Sequence, residues 1–198
     1  PQKNKILEQL IAYLKQHLEV SAQDWEYIKN KVTLNICNKG TILTKAGDVE
    51  NNLYFITDGV FRLYFEKDDK EIMLNFGFPG SFISSYASFL TQEKSTFHLS
   101  ALTSCTYLNL EKKELEDIYN NTSCGHKLAK ILTENLYLYF SKRENSFLLK
   151  SPTERYLELH QEKPQYISEI PLKFLASYIG ITPQALSRIR AKLAQSIS

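Results

Sequence analysis

The chain has 198 residues, with one tryptophan, one methionine, seven glycines and six prolines. No glycine- or proline-rich stretch separates one part from another, so any two domains must be joined by regular structure. The three cysteines, Cys37, Cys105 and Cys124, are scattered with no C-x-x-C spacing, which suggests neither a zinc site nor a disulfide framework, and they are expected as ordinary buried residues. The four histidines, His17, His98, His126 and His160, never fall within ten residues of one another. The paired histidines of a cupin metal site are therefore missing, and no G-x-S-x-G nucleophile elbow is present. Neither catalytic nor metal-ligating residues are expected. No apolar run approaches the ~18 residues of a membrane span, and the polar, amphipathic N-terminus is unlike a signal peptide. The expected location is a reducing cytoplasm. Acid is also missing where it would balance the end of the chain. After Glu169 no carboxylate side chain occurs, whereas Lys173, Arg188, Arg190 and Lys192 follow.

What is present, 43% hydrophobic and 23% charged residues with 12% aromatic, is the composition of a globular protein with a real core. Ile6, Leu7, Leu10, Ile11 and Leu14 recur at helical spacing, and Ser21 caps a second helix over 22–31 with Asp24 in its first turn. From residue 32 the period becomes two. Seven or eight short strands, broken at "NKG", "AGD", "DG" and "FPG", predict a β-sandwich or jelly roll. "SYASFL" at 85–90 reads as one or two helical turns. "EKKELEDIY" returns to helix, and a long helix follows over 124–149. Its apolar stripe of Leu128, Ile131, Leu132, Leu136, Leu138, Tyr139 and Phe140 is too wide for a two-stranded seam, so either one side packs on the sheet and the other on a partner subunit, or the helix closes a monomer core. Ser151-Pro152-Thr153-Glu154 is a capping box and marks a domain boundary. A helix to about residue 161, an extended piece "QYISEI" and two final helices complete the chain. The fold class is α+β: a jelly-roll domain over 1–122, a long connecting helix over 123–150 and a terminal helical domain over 151–198, to which the family resemblance given below assigns the roles of sensor, dimerisation helix and helix-turn-helix reader.

The last pair of helices carries the functional signal. In "PLKFLASYIGITPQALSRIRAKL", Pro171 starts one helix, Ala176 is small at the crossing, Gly180 permits the turn, Ile179 and Ile181 plug it, and Thr182-Pro183 starts the next. At 100° per residue, Gln184, Ser187, Arg188 and Ala191 share one face, opposite Leu186, Ile189 and Leu193. Arginine can bond guanine twice, glutamine adenine twice, and an alanine methyl can meet that of thymine. Arg190, Lys192 and, on the first helix, Lys173 are placed for phosphates, and Thr182 brings the helix N-terminus to the backbone. This face is expected to read double-stranded DNA.

With these motifs in view, the chain resembles the cyclic-AMP receptor protein / fumarate-nitrate regulator (Crp/Fnr) family of bacterial transcription factors. The resemblance rests on Gly40, "AGD" at 46–48, "YFITDG" at 54–59, Gly80 and "LASYIGITPQALSRIR". It implies a cyclic-nucleotide-binding-like jelly roll, a homodimer joined through the long helix, readers on the two halves of a palindrome, and contact with RNA polymerase. Gln184, Ser187 and Arg188 take the base-reading positions. The family's nucleotide pocket pairs glycine with glutamate and adds an arginine. Here Gly80 precedes Ser81, Ser95 takes the arginine position beside Lys94, and Thr96 takes that of the phosphate-supporting hydroxyl. The expected effector pocket is Gly80, Ser81, Phe82, Lys94, Ser95 and Thr96. Without the bidentate arginine a cyclic nucleotide is disfavoured, leaving another small molecule or none. No cysteine cluster for iron–sulfur sensing and no spaced axial ligands for haem are present. A chain ending at Ser198 leaves room for only a short wing, unless the wing comes from "QYISEI". The alternative is a cyclic-nucleotide-binding module that regulates a protein partner. It calls for a working phosphate arginine and no reading helix, the reverse of this pattern.

Overall fold

The computed structural model describes residues 2–195. The chain forms two compact units, one of residues 1–65 and 75–135 and the other of Glu66–Leu74 and Leu136–Ser198.

The first unit opens with helices α1 (Gln2–His17) and α2 (Ala22–Lys29). Ser21 caps α2, accepting the Asp24 N–H at 3.0 Å. Eight strands follow: β1 (Thr33–Cys37), β2 (Ile42–Thr44), β3 (Asn52–Asp58), β4 (Phe61–Lys67), β5 (Lys70–Gly77), β6 (Phe82–Ile83), β7 (His98–Ala101) and β8 (Cys105–Glu111). They form two four-stranded sheets, ordered β1-β8-β3-β6 and β2-β7-β4-β5. The crossovers, and the edge-on contact of Phe61 with Tyr107 between the sheets, are those of a jelly roll. "SYASFL" resolves as helix α3 (Tyr86–Thr91). Gly59 makes the β3–β4 turn at φ 82°, where a Cβ would meet the Ser104 carbonyl at 2.3 Å. The outer face of the first sheet is covered by α1, α2, α4 (Lys112–Asn121) and the start of α5 (Gly125–Leu149). Leu10, Leu14 and Ile28 pack there with Phe55, Leu108, Leu115, Ile118, Leu128 and Leu132, the helical and alternating periods meeting in one core.

Asp24, buried at 5% exposure, ties α2 to the α4–α5 junction by accepting the Ser123 N–H at 2.9 Å and the Ser123 hydroxyl at 2.5 Å. Burial pushes its carboxyl up, and the hydrogen bonds from Ser123 and Ser21 outweigh that, holding it below its ordinary value.

The second unit contains the tip of the β4–β5 hairpin, the rest of α5, and helices α6 (Pro152–Glu162), α7 (Pro164–Glu169), α8 (Leu172–Ile179) and α9 (Pro183–Gln195). Both residues of the hairpin turn, Asp68 and Asp69, have positive φ (50° and 56°), the requirement of a two-residue type I′ turn. The capping box of α6 is complete, with the Ser151 N–H donating to the Glu154 carboxylate at 2.7 Å and the Glu154 N–H to the Ser151 hydroxyl at 3.3 Å. "QYISEI" is helical in α7, not extended. Pro164 presets its first φ, and Tyr166 and Ile170, four apart, are both buried. It therefore supplies no wing strand, and among the described residues no strand follows β8. Of the α5 stripe, Leu128 and Leu132 are buried within this chain, whereas Leu138 is 62% exposed, as is the neighbouring Tyr137 at 70%.

Candidate nucleic-acid interface and sensor site

α8 and α9 are joined by a turn that local hydrogen bonds close. Gly180 sits in the left-handed region at φ 82° and ψ 34°. Its N–H donates to the Ser177 carbonyl at 3.0 Å and that of Ile181 to the Ala176 carbonyl at 3.0 Å, the Schellman pattern. Thr182 then caps α9, accepting the Ala185 N–H at 3.2 Å. Leu186 is fully buried and holds α9 against α8, whose Phe174, Leu175, Ala176 and Ile179 are also buried. With its back held this way, α9 turns Gln184, Ser187, Arg188, Ala191 and Lys192 outward as exposed residues, with no acid in its first turn.

The flanking cations divide. Lys173 is exposed, with its ammonium 4.4 Å from the Phe174 ring centroid. Arg190 is half-buried, its guanidinium 5.6 Å over the Tyr156 ring, and its Nε is shielded without a hydrogen-bond partner. Its aromatic contact inside the unit makes Arg190 part of the packing behind α9.

Sequence reasoning missed how α8 is held. The Ser177 hydroxyl accepts the Met73 N–H at 3.0 Å and donates to the Glu71 carbonyl at 3.1 Å, so one side chain satisfies two backbone groups of the hairpin tip. Arg143 donates to the carbonyls of Met73 at 3.3 Å and Tyr178 at 3.0 Å, with its guanidinium over the rings of Tyr178 (3.9 Å) and Phe147 (4.8 Å). Arg155 lies 4.6 Å from the Phe147 ring and donates to the Ile179 carbonyl at 3.0 Å.

In the jelly roll the expected effector residues separate. Gly80 is the left-handed residue of a turn in which the Ser81 hydroxyl donates to the Phe78 carbonyl at 2.7 Å. Phe82 stacks edge-on with Tyr13 and packs on Phe55, facing the helices. These three serve the scaffold. Ser95 is buried, and its hydroxyl meets that of Ser85 at 2.7 Å while donating to the Phe97 carbonyl at 2.8 Å. Lys94 and Thr96 on either side are exposed. The partner of Ser95 is thus Ser85. Nothing in the sequence marks Ser85 except its place in a run of small polar residues.

A buried carboxylate completes this region. Glu50, 1% exposed, accepts from the Thr44 hydroxyl, from the Asn52 N–H at 2.9 Å and from the Tyr54 hydroxyl at 3.3 Å. Burial raises its affinity for a proton above that of an ordinary glutamate, and these hydrogen bonds only partly offset it. Among the described residues no group of three or more His, Cys, Asp or Glu is placed to hold a metal ion, and no helix is long and apolar enough to cross a membrane.

Residues 36–122 match the family model of the cyclic nucleotide-binding domain. Over 98 residues the chain is 31% identical to patatin-like phospholipase domain-containing protein 6 of Mus musculus and 30% identical to that of Homo sapiens. Those alignments cover 48% of this chain and 7% of the relatives' own length. Among solved structures, FixK2 from Bradyrhizobium japonicum superposes with a TM-score of 0.72 at 14% identity, covering 83% of this chain and 85% of that one. The c-di-GMP responsive global regulator CLP of Xanthomonas campestris gives 0.65 at 18% identity, covering 89% and 93%. A putative transcriptional regulator of the Crp/Fnr family from Eubacterium rectale gives 0.66 at 16%, covering 89% and 85%. Residues 36–122 are thus similar to the cyclic nucleotide-binding domain, and the chain shares the fold of solved Crp/Fnr-type regulators.

Proposed function

We propose that this protein is a DNA-binding transcription regulator of the Crp/Fnr type, acting as a homodimer on a palindromic site. Residues 1–122 are its sensor, 123–150 its dimerisation helix and 151–198 its reader. The observation that carries the reading is the α9 surface: Gln184, Ser187 and Arg188 stand exposed on a helix capped by Thr182 and anchored by buried Leu186, with no acid in its first turn. Arg188 and Gln184 supply bidentate donors and acceptors for base edges, and Lys192 and Lys173 supply phosphate contacts. Arg190 acts from behind, supporting the helix through Tyr156.

The exposed Tyr137, Leu138 and Leu148 lie on one side of α5, and a second copy of the same helix covers them. A cyclic nucleotide is disfavoured as the effector, which leaves another small molecule or none. The buried Ser85–Ser95 pair offers neutral hydroxyls where a cyclic phosphate would need a guanidinium. By the family's pattern the DNA-bound dimer also touches RNA polymerase.

The test is selection of preferred duplexes from a random pool, followed by titration of the winner at several salt concentrations. A recovered palindrome, bound with affinity that falls steeply with salt, supports the reading. Failure to enrich any sequence, with and without candidate effectors, would overturn it.

A further inference from the structure

The three cysteines looked scattered in the sequence, but the fold brings two of them face to face. β1 and β8 run antiparallel, and Cys37 is registered directly opposite Cys105. Directly opposed residues of an antiparallel pair point to the same side of the sheet, with Cα atoms about 4.5 or 5.5 Å apart according to the pair type. Both values lie within the roughly 4.4–6.8 Å span that a disulfide bridges. β1 is an edge strand, so small closing movements of Cys37 meet no second neighbouring strand.

The two thiols differ in environment. Cys37, the last residue of β1, is half-buried and reachable from the sheet edge. Cys105 is buried, with its sulfur 3.4 Å from the Val60 carbonyl. A Cβ on Gly59 would lie 2.7 Å from that sulfur, so the turn crowds Cys105 from that direction. Burial pushes the Cys105 thiol up to about 11. Burial also raises Cys37, partly offset by hydrogen bonds from the Cys105 amide and thiol. Cys124 is buried in the helical core and serves as an internal control.

We propose that Cys37 and Cys105 form a reversible redox site in the sensor domain, oxidised to an intramolecular disulfide by a low-molecular-weight disulfide. The Cys37 thiolate attacks one sulfur of the small disulfide, breaking its S–S bond and releasing one thiolate, which takes up a proton. Cys105 then loses its proton and attacks the Cys37 sulfur of the mixed disulfide, releasing the second small thiol. Two electrons pass from the cysteine pair to the oxidant, and two small thiols are produced. The inference is independent of the DNA-reading assignment.

The test incubates the full chain with mixtures of oxidised and reduced glutathione, quenches with acid, alkylates the remaining thiols and maps the peptides by mass spectrometry. The expected product is a Cys37–Cys105 cross-linked peptide pair, lighter by two hydrogens, with Cys124 fully alkylated and the link reversed by dithiothreitol. Cys37→Ser, at a half-exposed position chosen so that the chain still folds, abolishes the link and leaves Cys105 open to alkylation after unfolding. Cys124→Ser retains it. A glutathione adduct persisting on Cys37 while Cys105 stays reduced would overturn the proposal. So would disulfide-linked pairs of chains, or three reduced thiols under oxidising mixtures.

Discussion

Replacing Gly180 by alanine isolates the geometry that presents α9. The backbone there is left-handed at φ 82°, and an added Cβ would stand 2.7 Å from the Phe147 Cε1 and 3.4 Å from its Cζ. Two costs follow. The left-handed conformation costs an L-residue with a side chain about 1–2 kcal/mol, less the few tenths gained because alanine restricts the unfolded chain. The Phe147 ring must also retreat by roughly 0.7 Å to reach ordinary contact distance. It is 40% exposed and has somewhere to go, but it carries the guanidinium groups of Arg143 and Arg155 on its faces. Weakening those contacts costs about 0.5–1 kcal/mol. The sum is near 2 kcal/mol, roughly a 30-fold shift in a local opening equilibrium, at 1.4 kcal/mol per factor of ten. Amide hydrogen exchange of the α8–α9 segment reads this directly, since protection there should fall by that factor while α1 and α2 are unchanged. In a Phe147→Leu background the steric share vanishes, and Gly180→Ala should cost only about 1 kcal/mol, the conformational part. Unchanged protection in Gly180→Ala, or an equal penalty in both backgrounds, would refute the account.

Arg188→Ala should cost ~1–3 kcal/mol on the selected site and relax preference at one base pair, whereas Lys192→Ala should weaken every duplex alike and lower the salt slope by about 1. Equal losses on specific and random DNA for both variants would sink the division of roles. The raised proton affinity of Glu50 means that its stabilising contribution is full below the unfolded glutamate value near about 4.3. That contribution is lost as pH rises through the higher folded value. Glu50→Gln should flatten this part of the stability curve in urea melts from pH 4 upward, and an unchanged slope would point to another group. Asp24 has the opposite sign: its folded value is lowered, so its contribution is present above about pH 4 and lost as pH falls through that lower value. Asp24→Asn should weaken the acid-side loss in melts between pH 5 and 2, and a variant as acid-sensitive as the parent would contradict the role given to Ser123. Leu138→Glu should convert a dimer to a monomer in sedimentation, and an unaltered dimer would move the interface elsewhere.

The features legible in the sequence are those whose physics is local. Ser21, Ser151 and Thr182 cap their helices with bonds to residues three positions on, so a short window contains both partners. The α9 face was legible for the same reason, because 3.6-residue periodicity places Leu186 opposite Ser187 and Arg188 whatever lies behind the helix. "QYISEI" was misread although its signal was there: Pro164 at the first position and buried Tyr166 and Ile170 one helical turn apart. Arg190 is a different case. Its position on the helix was read correctly, but whether a guanidinium faces phosphate or packs on a ring depends on Tyr156, 34 residues earlier.

By itself the sequence determined the alternation of sheet and helix, the helix boundaries set by caps, and the exposed, acid-free face of α9, because backbone sterics and side-chain periodicity act over a few residues. Tertiary structure alone decided which distant residues became neighbours. Strand register set Cys37 against Cys105, the segment before β7 met the start of α3 through Ser95 and Ser85, and the hairpin tip found Ser177. Such pairings follow from how two sheets and several helices bury their apolar faces together, and no spacing along the chain encodes them.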